Sequence, residues 1–273
     1  MSRIAGRFQQ LSEQGRTALI PYIVAGDPAL ETTVELMHRL VASGADIIEV
    51  GVPFSDPMSE GPVIQLGHER ALANGTSLHN VLELVQEFRQ RDSDTPVLLM
   101  GYANPVEHMG YATFADAASA AGVDALLTVD IPPEEVETVN AQLRRVGMDN
   151  IFLVAPTTPD ERIGRITAQA SGFIYYVSVK GVTGAGNLDT VEVSRRLDAI
   201  RQHSDLPLAV GFGIKDAASA KAVAAVADGV VVGSAIIESM VKAIEAGGGQ
   251  QAAIDAAADL VAQIRQGIDS SAS

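Results

Sequence analysis

Three carboxylates follow Asp46 closely in the segment DIIEVGVPFSDPMSEGPVIQ, residues 46–65. Glu49 interrupts an apolar, β-branched run, whereas Asp56 and Glu60 lie in the proline-rich stretch that follows. Glutamate is almost never fully buried without a partner, because removing an unpaired carboxylate from water is costly. Glu49 is therefore predicted either to have a buried hydrogen-bond partner or to transfer a proton, with a pKa raised by desolvation. Spacing alone leaves Asp56 and Glu60 equally consistent with a solvated surface loop.

Glycine clusters form a second candidate site, one for an anion. They are KGVTGAGN at 180–187, GFG at 211–213 and GS at 233–234. Glycine lets backbone N–H groups approach a ligand closely, and the N-terminus of a helix beginning at Ser234 would favour a negative charge. Ordinary turns would also use glycine, but three clusters at consecutive strand ends favour a phosphate site. Lys180 leaves open a Schiff-base chemistry with a carbonyl substrate.

The order of apolar runs and helical patterns indicates which elements position these residues. Eight short β-branched runs alternate with amphipathic segments, and nearly all the runs lack the polar alternation of a half-exposed sheet. Eight β/α units in about 270 residues match an α/β protein that forms a single-domain (β/α)8 TIM barrel, whose C-terminal strand ends share one mouth. The positions predicted to face this mouth are Glu49, the 53–60 loop, Tyr102, Asn104, Asp130, Tyr175, the 180–187 loop, 211–213 and 233–234.

Both ends of the chain are predicted from similar patterns. Ile4, Phe8 and Leu11 form an apolar stripe, which predicts an additional N-terminal helix within residues 1–14 that covers the bottom of the barrel. Residues 268–273, which end in SSAS, are predicted to form a frayed tail. The whole chain, 1–273, is thus expected to be one barrel domain.

Composition argues against several classes of function. The 34 acidic and 19 basic residues give a formal net charge of -15, which disfavours nucleic acid and anionic membranes as partners. The absence of cysteine excludes thiolate catalysis and Cys-based metal sites, and the five histidines have no metal-binding spacing. No run approaches the ~18 apolar residues of a membrane span, and no secretory signal pattern is seen, so a cytoplasmic protein is expected.

The assembled motifs resemble the tryptophan synthase alpha subunit family. The similarity covers nearly the full length, in the family's order and spacing, through the segments PYIVAGDP, GADIIEVGVPFSDPMSEGPVIQ, GYANPV, GVDALLTVDIPPEE, GVTGAG, VGFGI and GSAII. This resemblance implies a (β/α)8 barrel that cleaves indole-3-glycerol phosphate to indole and glyceraldehyde 3-phosphate without a metal or organic cofactor of its own. It also implies an α2β2 assembly with a β subunit that carries pyridoxal phosphate (PLP) and receives the indole through an internal channel.

The resemblance further implies roles for individual residues. Glu49 would be the acid at indole C3, Glu60 would face the indole nitrogen, and Tyr175 would lie near the glycerol portion. Tyr22 would lie against the indole ring, where the family commonly has phenylalanine. The other implied positions are Thr183 as a substrate contact, Gly184, Gly213, Gly233 and Ser234 around the phosphate, and Asp56 and Asp130 as supports of the loop and the subunit contact.

Departures from the family pattern at positions 59 and 60 keep other functions open. The family motif has aspartate and alanine where this chain has Glu60 and Ser59, and the extra methylene moves the carboxylate by roughly one bond length. The lyase is the leading hypothesis. The alternatives are an allosteric partner of the β subunit with weak activity of its own, and another sugar-phosphate barrel enzyme, including a Schiff-base aldolase that uses Lys180.

Overall fold

The computed structural model describes residues 2–177, 190–211 and 213–270. Short strands alternate with helices throughout these ranges. The strands are β1 (Ala18–Val24), β2 (Ile48–Gly51), β3 (Val97–Gly101), β4 (Ala125–Thr128), β5 (Asp149–Asn150), β6 (Phe152–Val154), β7 (Ile174–Val177), β8 (Leu208–Gly211) and β9 (Gly229–Val232). The helices are α1 (Arg3–Glu13), α2 (Thr33–Ala42), α3 (Pro62–Ala73), α4 (Leu78–Arg89), α5 (Ala103–Met109), α6 (Tyr111–Ala121), α7 (Glu137–Val146), α8 (Asp160–Gln169), α9 (Thr190–Arg201), α10 (Ala217–Ala224), α11 (Ser234–Glu245) and α12 (Gly249–Asp269).

The strands form one sheet in the order β5-β4-β3-β2-β1-β9-β8-β7-β6. All the paired strands are parallel, and β5 and β6 are two segments of one strand separated only by Ile151. Because β5 pairs with β4 and β6 pairs with β7, this eighth strand joins the two edges of the sheet. The predicted α/β fold, a (β/α)8 TIM barrel with an additional N-terminal helix, is confirmed.

Helix α1 lies at the end of the barrel where the strands begin. Its Ile4, Phe8 and Leu11 pack with side chains that fill the barrel interior, and the Phe8 and Phe173 ring centroids are 5.5 Å apart. The Arg3 guanidinium reaches a carboxylate that precedes β4. Within the described residues, none of the helices is long and apolar enough to cross a membrane.

Three aspartates, each just before a strand, form hydrogen bonds to neighbouring strands at this bottom end of the barrel. Asp46, Asp124 and Asp228 precede β2, β4 and β9. Each carboxylate accepts a hydrogen bond of 2.8 or 2.9 Å from the backbone N–H at the start of the neighbouring strand, which is β1, β3 or β8. The three N–H donors belong to fully buried residues, and buried polar groups need such partners, so these acids stabilise the sheet.

The end of α12 corrects one expectation. The helix continues to Asp269, and Ile268 is buried, so the frayed tail predicted from residue 268 is wrong for residues 268 and 269. Ile264 and Ile268 lie one turn apart on the helix face that packs into the core, and Arg265 pairs with Asp269 at 2.5 Å. Residues 271–273 lie outside the described ranges.

We expect Asp124→Ala to lower the free energy of unfolding by about 3 kcal/mol, because the Arg89 guanidinium loses its counter-charge and the Val97 N–H loses its acceptor. Asp94→Ala is the matched control. Asp94 pairs with Arg7 but its side chain is 88% exposed, and exposed ion pairs contribute little. Urea unfolding followed by circular dichroism measures both variants. Equal unfolding midpoints would contradict the anchoring role of Asp124.

Candidate active site

Glu49 lies on β2 and is completely buried. Neither of its carboxylate oxygens has a hydrogen-bond partner among the described residues. Burial, and secondarily the charge of Glu60, raises the pKa of Glu49 from 4.5 to about 8. The sequence left two alternatives open for Glu49, a buried hydrogen-bond partner or a role in proton transfer. The described residues offer no such partner. A carboxyl group that keeps its proton at neutral pH is suited to act as a general acid.

Two tyrosines lie near Glu49 on other strands. Burial raises the pKa of Tyr22 on β1 and of Tyr175 on β7, and the negative charge of Glu49 raises both further. Tyr22 is directly in register with Glu49. A Cβ at Gly51 would collide with the Tyr22 hydroxyl, and one at Gly211 would collide with the Tyr175 hydroxyl. Glycine at these two positions therefore leaves room for both hydroxyls at the mouth.

Glu60 is held in the loop between β2 and α3. Tyr102, directly after β3, donates a hydrogen bond to the Glu60 carboxylate, and its hydroxyl accepts one from the Ser59 N–H at 3.0 Å. Gln65 donates to the Glu60 carbonyl at 2.9 Å. Burial raises the pKa of Glu60, and the Tyr102 hydrogen bond partly offsets that rise. The longer side chain at position 60 thus has a fixed partner.

His68 is a buried residue of this site that the sequence reasoning missed. Its Nδ1 accepts a hydrogen bond from the Phe54 N–H at 3.1 Å, and its Nε2 lies 3.2 Å from the Tyr22 hydroxyl. Burial lowers the pKa of His68 to about 4, so the imidazole is neutral near pH 7. The helical spacing of Ile64, His68 and Ala71 on one face of α3 was the available signal.

Two of the glycines predicted to bind phosphate follow neighbouring strands. Gly213 follows β8 with φ of 76°, and Gly233 follows β9 as the N-cap of α11. Ser234 is the first residue of that helix. The first N–H groups of a helix have no acceptor within the helix, so this end can bind an anion. A Cβ at Gly233 would be 3.3 Å from the Tyr22 ring, which places the helix terminus beside the same mouth.

The two acids predicted as supports lie on the exposed rim. Asp56 accepts a hydrogen bond from the Ser55 hydroxyl at 2.6 Å, within its own loop. Asp130 accepts one from the Ala103 N–H at 2.8 Å, at the start of α5. Asp130 thereby connects the loop after β4 to the segment after β3.

The 180–187 loop, with Lys180, Thr183 and Gly184, lies outside the described ranges, as does residue 212. Among the residues that are described, no group of three or more His, Asp or Glu side chains could hold a metal ion. The structure brings Glu49, Glu60, Tyr22 and Tyr175 together around the barrel mouth, with Gly233 beside Tyr22.

Comparison with known proteins agrees with this geometry. The family model described as tryptophan synthase alpha chain matches residues 8–267. The chain belongs to the tryptophan synthase alpha chain family. Among relatives of that name, the protein of Thiobacillus denitrificans is 56% identical over 98% of this chain and 97% of its own. That of Nitrosococcus oceani is 59% identical over 87% of this chain and 88% of its own.

Solved structures of the family also superpose closely. The tryptophan synthase subunit alpha of Legionella pneumophila gives a TM-score of 0.92 at 45% identity and covers 99% of both chains. A tryptophan synthase structure from M. tuberculosis, in an aminoacrylate-bound form, gives 0.87 at 32% identity over 98% of this chain and 100% of the other. The predicted family is therefore confirmed, and with it the activity of an alpha subunit, a carbon–carbon lyase of tryptophan biosynthesis that acts on indole-3-glycerol phosphate beside a β subunit.

We expect the contribution of Glu49 to the free energy of unfolding to fall as pH rises from about 4.5 to about 8, which are its pKa values in the unfolded and the folded chain. Over this window the unfolded chain releases the proton that folded Glu49 retains, which costs roughly 1 kcal/mol per pH unit. Glu49→Gln cannot ionise, so its stability relative to the wild type should increase across the window. Urea unfolding of both proteins at several pH values measures this difference. A difference that does not change with pH would contradict the raised pKa.

Proposed function

We propose that the chain cleaves indole-3-glycerol phosphate by a retro-aldol reaction in which Glu49 protonates indole C3. The observation that supports this role most strongly is the buried Glu49 carboxyl, which has no hydrogen-bond partner in the described part of the chain and a pKa of about 8. As C3 takes the proton, the bond from C3 to the glycerol carbon breaks. Its electron pair returns to the indole ring. The adjacent glycerol hydroxyl gives its proton to the Glu49 carboxylate, which regains its acidic form, and becomes the aldehyde of glyceraldehyde 3-phosphate.

Glu60 is proposed to stabilise the charge that develops during this step. Protonation at C3 makes the indole nitrogen electron-poor, and a carboxylate facing its N–H lowers the energy of the transition state. Tyr102 holds the Glu60 carboxylate in place, so little reorganisation is required. Tyr22 would form one wall of the indole pocket, and Tyr175 would lie near the glycerol portion.

The phosphate is proposed to lie at the N-terminus of α11. Gly213, Gly233 and Ser234 would surround it, with backbone N–H groups as donors. The family resemblance adds Gly184 to this set and makes Thr183 a contact to the substrate. Phosphate binding at this end would fix the substrate with its indole ring toward Glu49.

The proposed assembly is an α2β2 complex in the cytoplasm. The β subunit would carry the PLP and receive the indole through an internal channel, while this chain would use no metal or organic cofactor of its own. Asp56 and Asp130, on rim loops, are proposed to support that contact. Met58, whose exposed fraction is 83%, lies beside Asp56 in the same loop and offers an apolar surface to the partner.

The allosteric alternative rests on Glu60, which stands where the family has aspartate. A misplaced carboxylate would make the lyase weak and leave activation of the β subunit as the main role. The Tyr102 hydrogen bond supports the lyase instead, because it holds the longer side chain in one position.

We expect Glu49→Gln to lower the kcat for indole release by at least about 10²-fold, because the amide has no acidic proton to transfer. The isosteric substitution should leave the fold intact, which circular dichroism checks. Glu245→Gln, on an exposed position at the end of α11, is the matched control. The assay follows indole formed from indole-3-glycerol phosphate. Turnover equal to that of the control would refute the role of Glu49.

Glu60→Asp tests the length of the second carboxylate. We expect its kcat to fall about tenfold, since the shorter side chain cannot keep both its present position and the Tyr102 hydrogen bond. Tyr102→Phe should cause a loss of similar size. Both variants are assayed with and without a β subunit. A kcat higher than that of the wild type for Glu60→Asp would favour the allosteric alternative.

A further inference from the structure

We propose that His68 is a positioning residue of the lyase site, which ties the Tyr22 side chain on β1 to the backbone of Phe54 at the start of the loop that carries Glu60. This inference rests on the function proposed above. His68 itself lies on α3, in neither of the elements that it connects. Its side chain is only 1% exposed, so its two polar contacts are made away from bulk water.

The two contacts of His68 determine which tautomer it adopts. The Phe54 N–H can only donate, so Nδ1 must be the unprotonated nitrogen that accepts at 3.1 Å. In a neutral imidazole the proton is then on Nε2, which donates to the Tyr22 hydroxyl at 3.2 Å. Neutrality is favoured because burial lowers the pKa of His68 to about 4. One tautomer therefore satisfies both neighbours.

These contacts continue from Phe54 toward the second carboxylate. The Phe54 ring stacks on Tyr102, with centroids 4.7 Å apart and an interplanar angle of 22°. Tyr102 in turn donates to Glu60. A shift of the Phe54 backbone would move the ring on which Tyr102 stacks, and the Tyr102 hydroxyl orients Glu60. Displacing a reacting group by about 1 Å can lower the rate about 10²-fold.

The other contact of His68 positions Tyr22, the proposed wall of the indole pocket. Tyr22 lies close to Glu49 and Glu60, whose charges both raise the pKa of its hydroxyl. Its hydroxyl uses a lone pair to accept from His68, which fixes the ring against rotation out of the mouth. His68 therefore couples the placement of the indole wall to the placement of Glu60.

Four variants separate positioning from simple space-filling. His68→Leu removes both contacts, and we expect its kcat to fall about 100-fold. His68→Asn keeps an amide oxygen that can accept from the Phe54 N–H and loses only the Tyr22 contact, so its kcat should fall about 5-fold. Tyr22→Phe loses the same contact and should match it. The kcat of the double variant Tyr22→Phe/His68→Asn should be no lower than that of either single variant, because all three lack the same hydrogen bond between positions 22 and 68.

The KM for indole-3-glycerol phosphate should change less than about threefold in these variants, because the phosphate site lies on other strands. His79→Asn, an exposed histidine on α4, is the matched control for introducing asparagine. If His68→Leu does not fold, the comparison of His68→Asn, Tyr22→Phe and their double variant decides the question.

Two outcomes would overturn the proposal. One is a His68→Asn kcat equal to that of His79→Asn. The other is a double variant whose loss is the product of the two single losses, since independent effects would mean that His68 and Tyr22 do not act together. Failure of the underlying lyase function is distinguishable, because the wild-type chain would then release no indole and Glu49→Gln would change nothing.

Discussion

A protonated carboxyl group inside the barrel is the constraint around which the mouth is arranged. Glu49 is fully buried, and a cation beside it would draw off its proton and lower its pKa. Its neighbours are instead tyrosine hydroxyls and a second acid, Glu60, whose charge raises the pKa further. The remaining site residues must therefore contribute shape, hydrogen bonds and negative charge, while positive electrostatic potential is left to the helix terminus at Ser234.

The buried acids at the two ends of the barrel differ in their hydrogen-bond partners. Asp46 and Asp124, at the bottom, have backbone N–H groups and arginines as partners, and so they stabilise the pairing of strands. Glu49 sits further along the strand that Asp46 precedes, yet its oxygens lack hydrogen bonds to any described residue. Native proteins leave few buried polar groups unsatisfied. The bottom of the barrel thus provides stability that lets the mouth keep a group that is costly to bury.

Local patterns were sufficient to predict the barrel and the central acid, since each depends on neighbours in the chain. Apolar runs separated by helical periods count the β/α units, and Glu49 stands out within one such run. The partners of Glu60 and Tyr22 could not be predicted in the same way, because Tyr102 and His68 are 42 and 46 residues away from them. Such contacts depend on how the strands twist and which loops meet above them. The prediction of a frayed tail was wrong for residues 268 and 269, because it was based on the polar residues at the end of the chain. Ile268 continues the apolar stripe of α12.

Tyr22 and Glu60, at positions where the resemblance implies phenylalanine and aspartate, belong to one connected set of contacts. With phenylalanine at position 22, the Nε2 proton of His68 would lose the acceptor that Tyr22 provides, and a buried donor without an acceptor is costly. With aspartate at position 60, the carboxylate would end one methylene short of where Tyr102 now donates. Phe54 joins the two arrangements, since its N–H bonds to His68 and its ring stacks on Tyr102. A change at either position would therefore alter the support of the other, and the extra methylene of Glu60 belongs to a connected set of contacts that includes the Tyr22 hydroxyl.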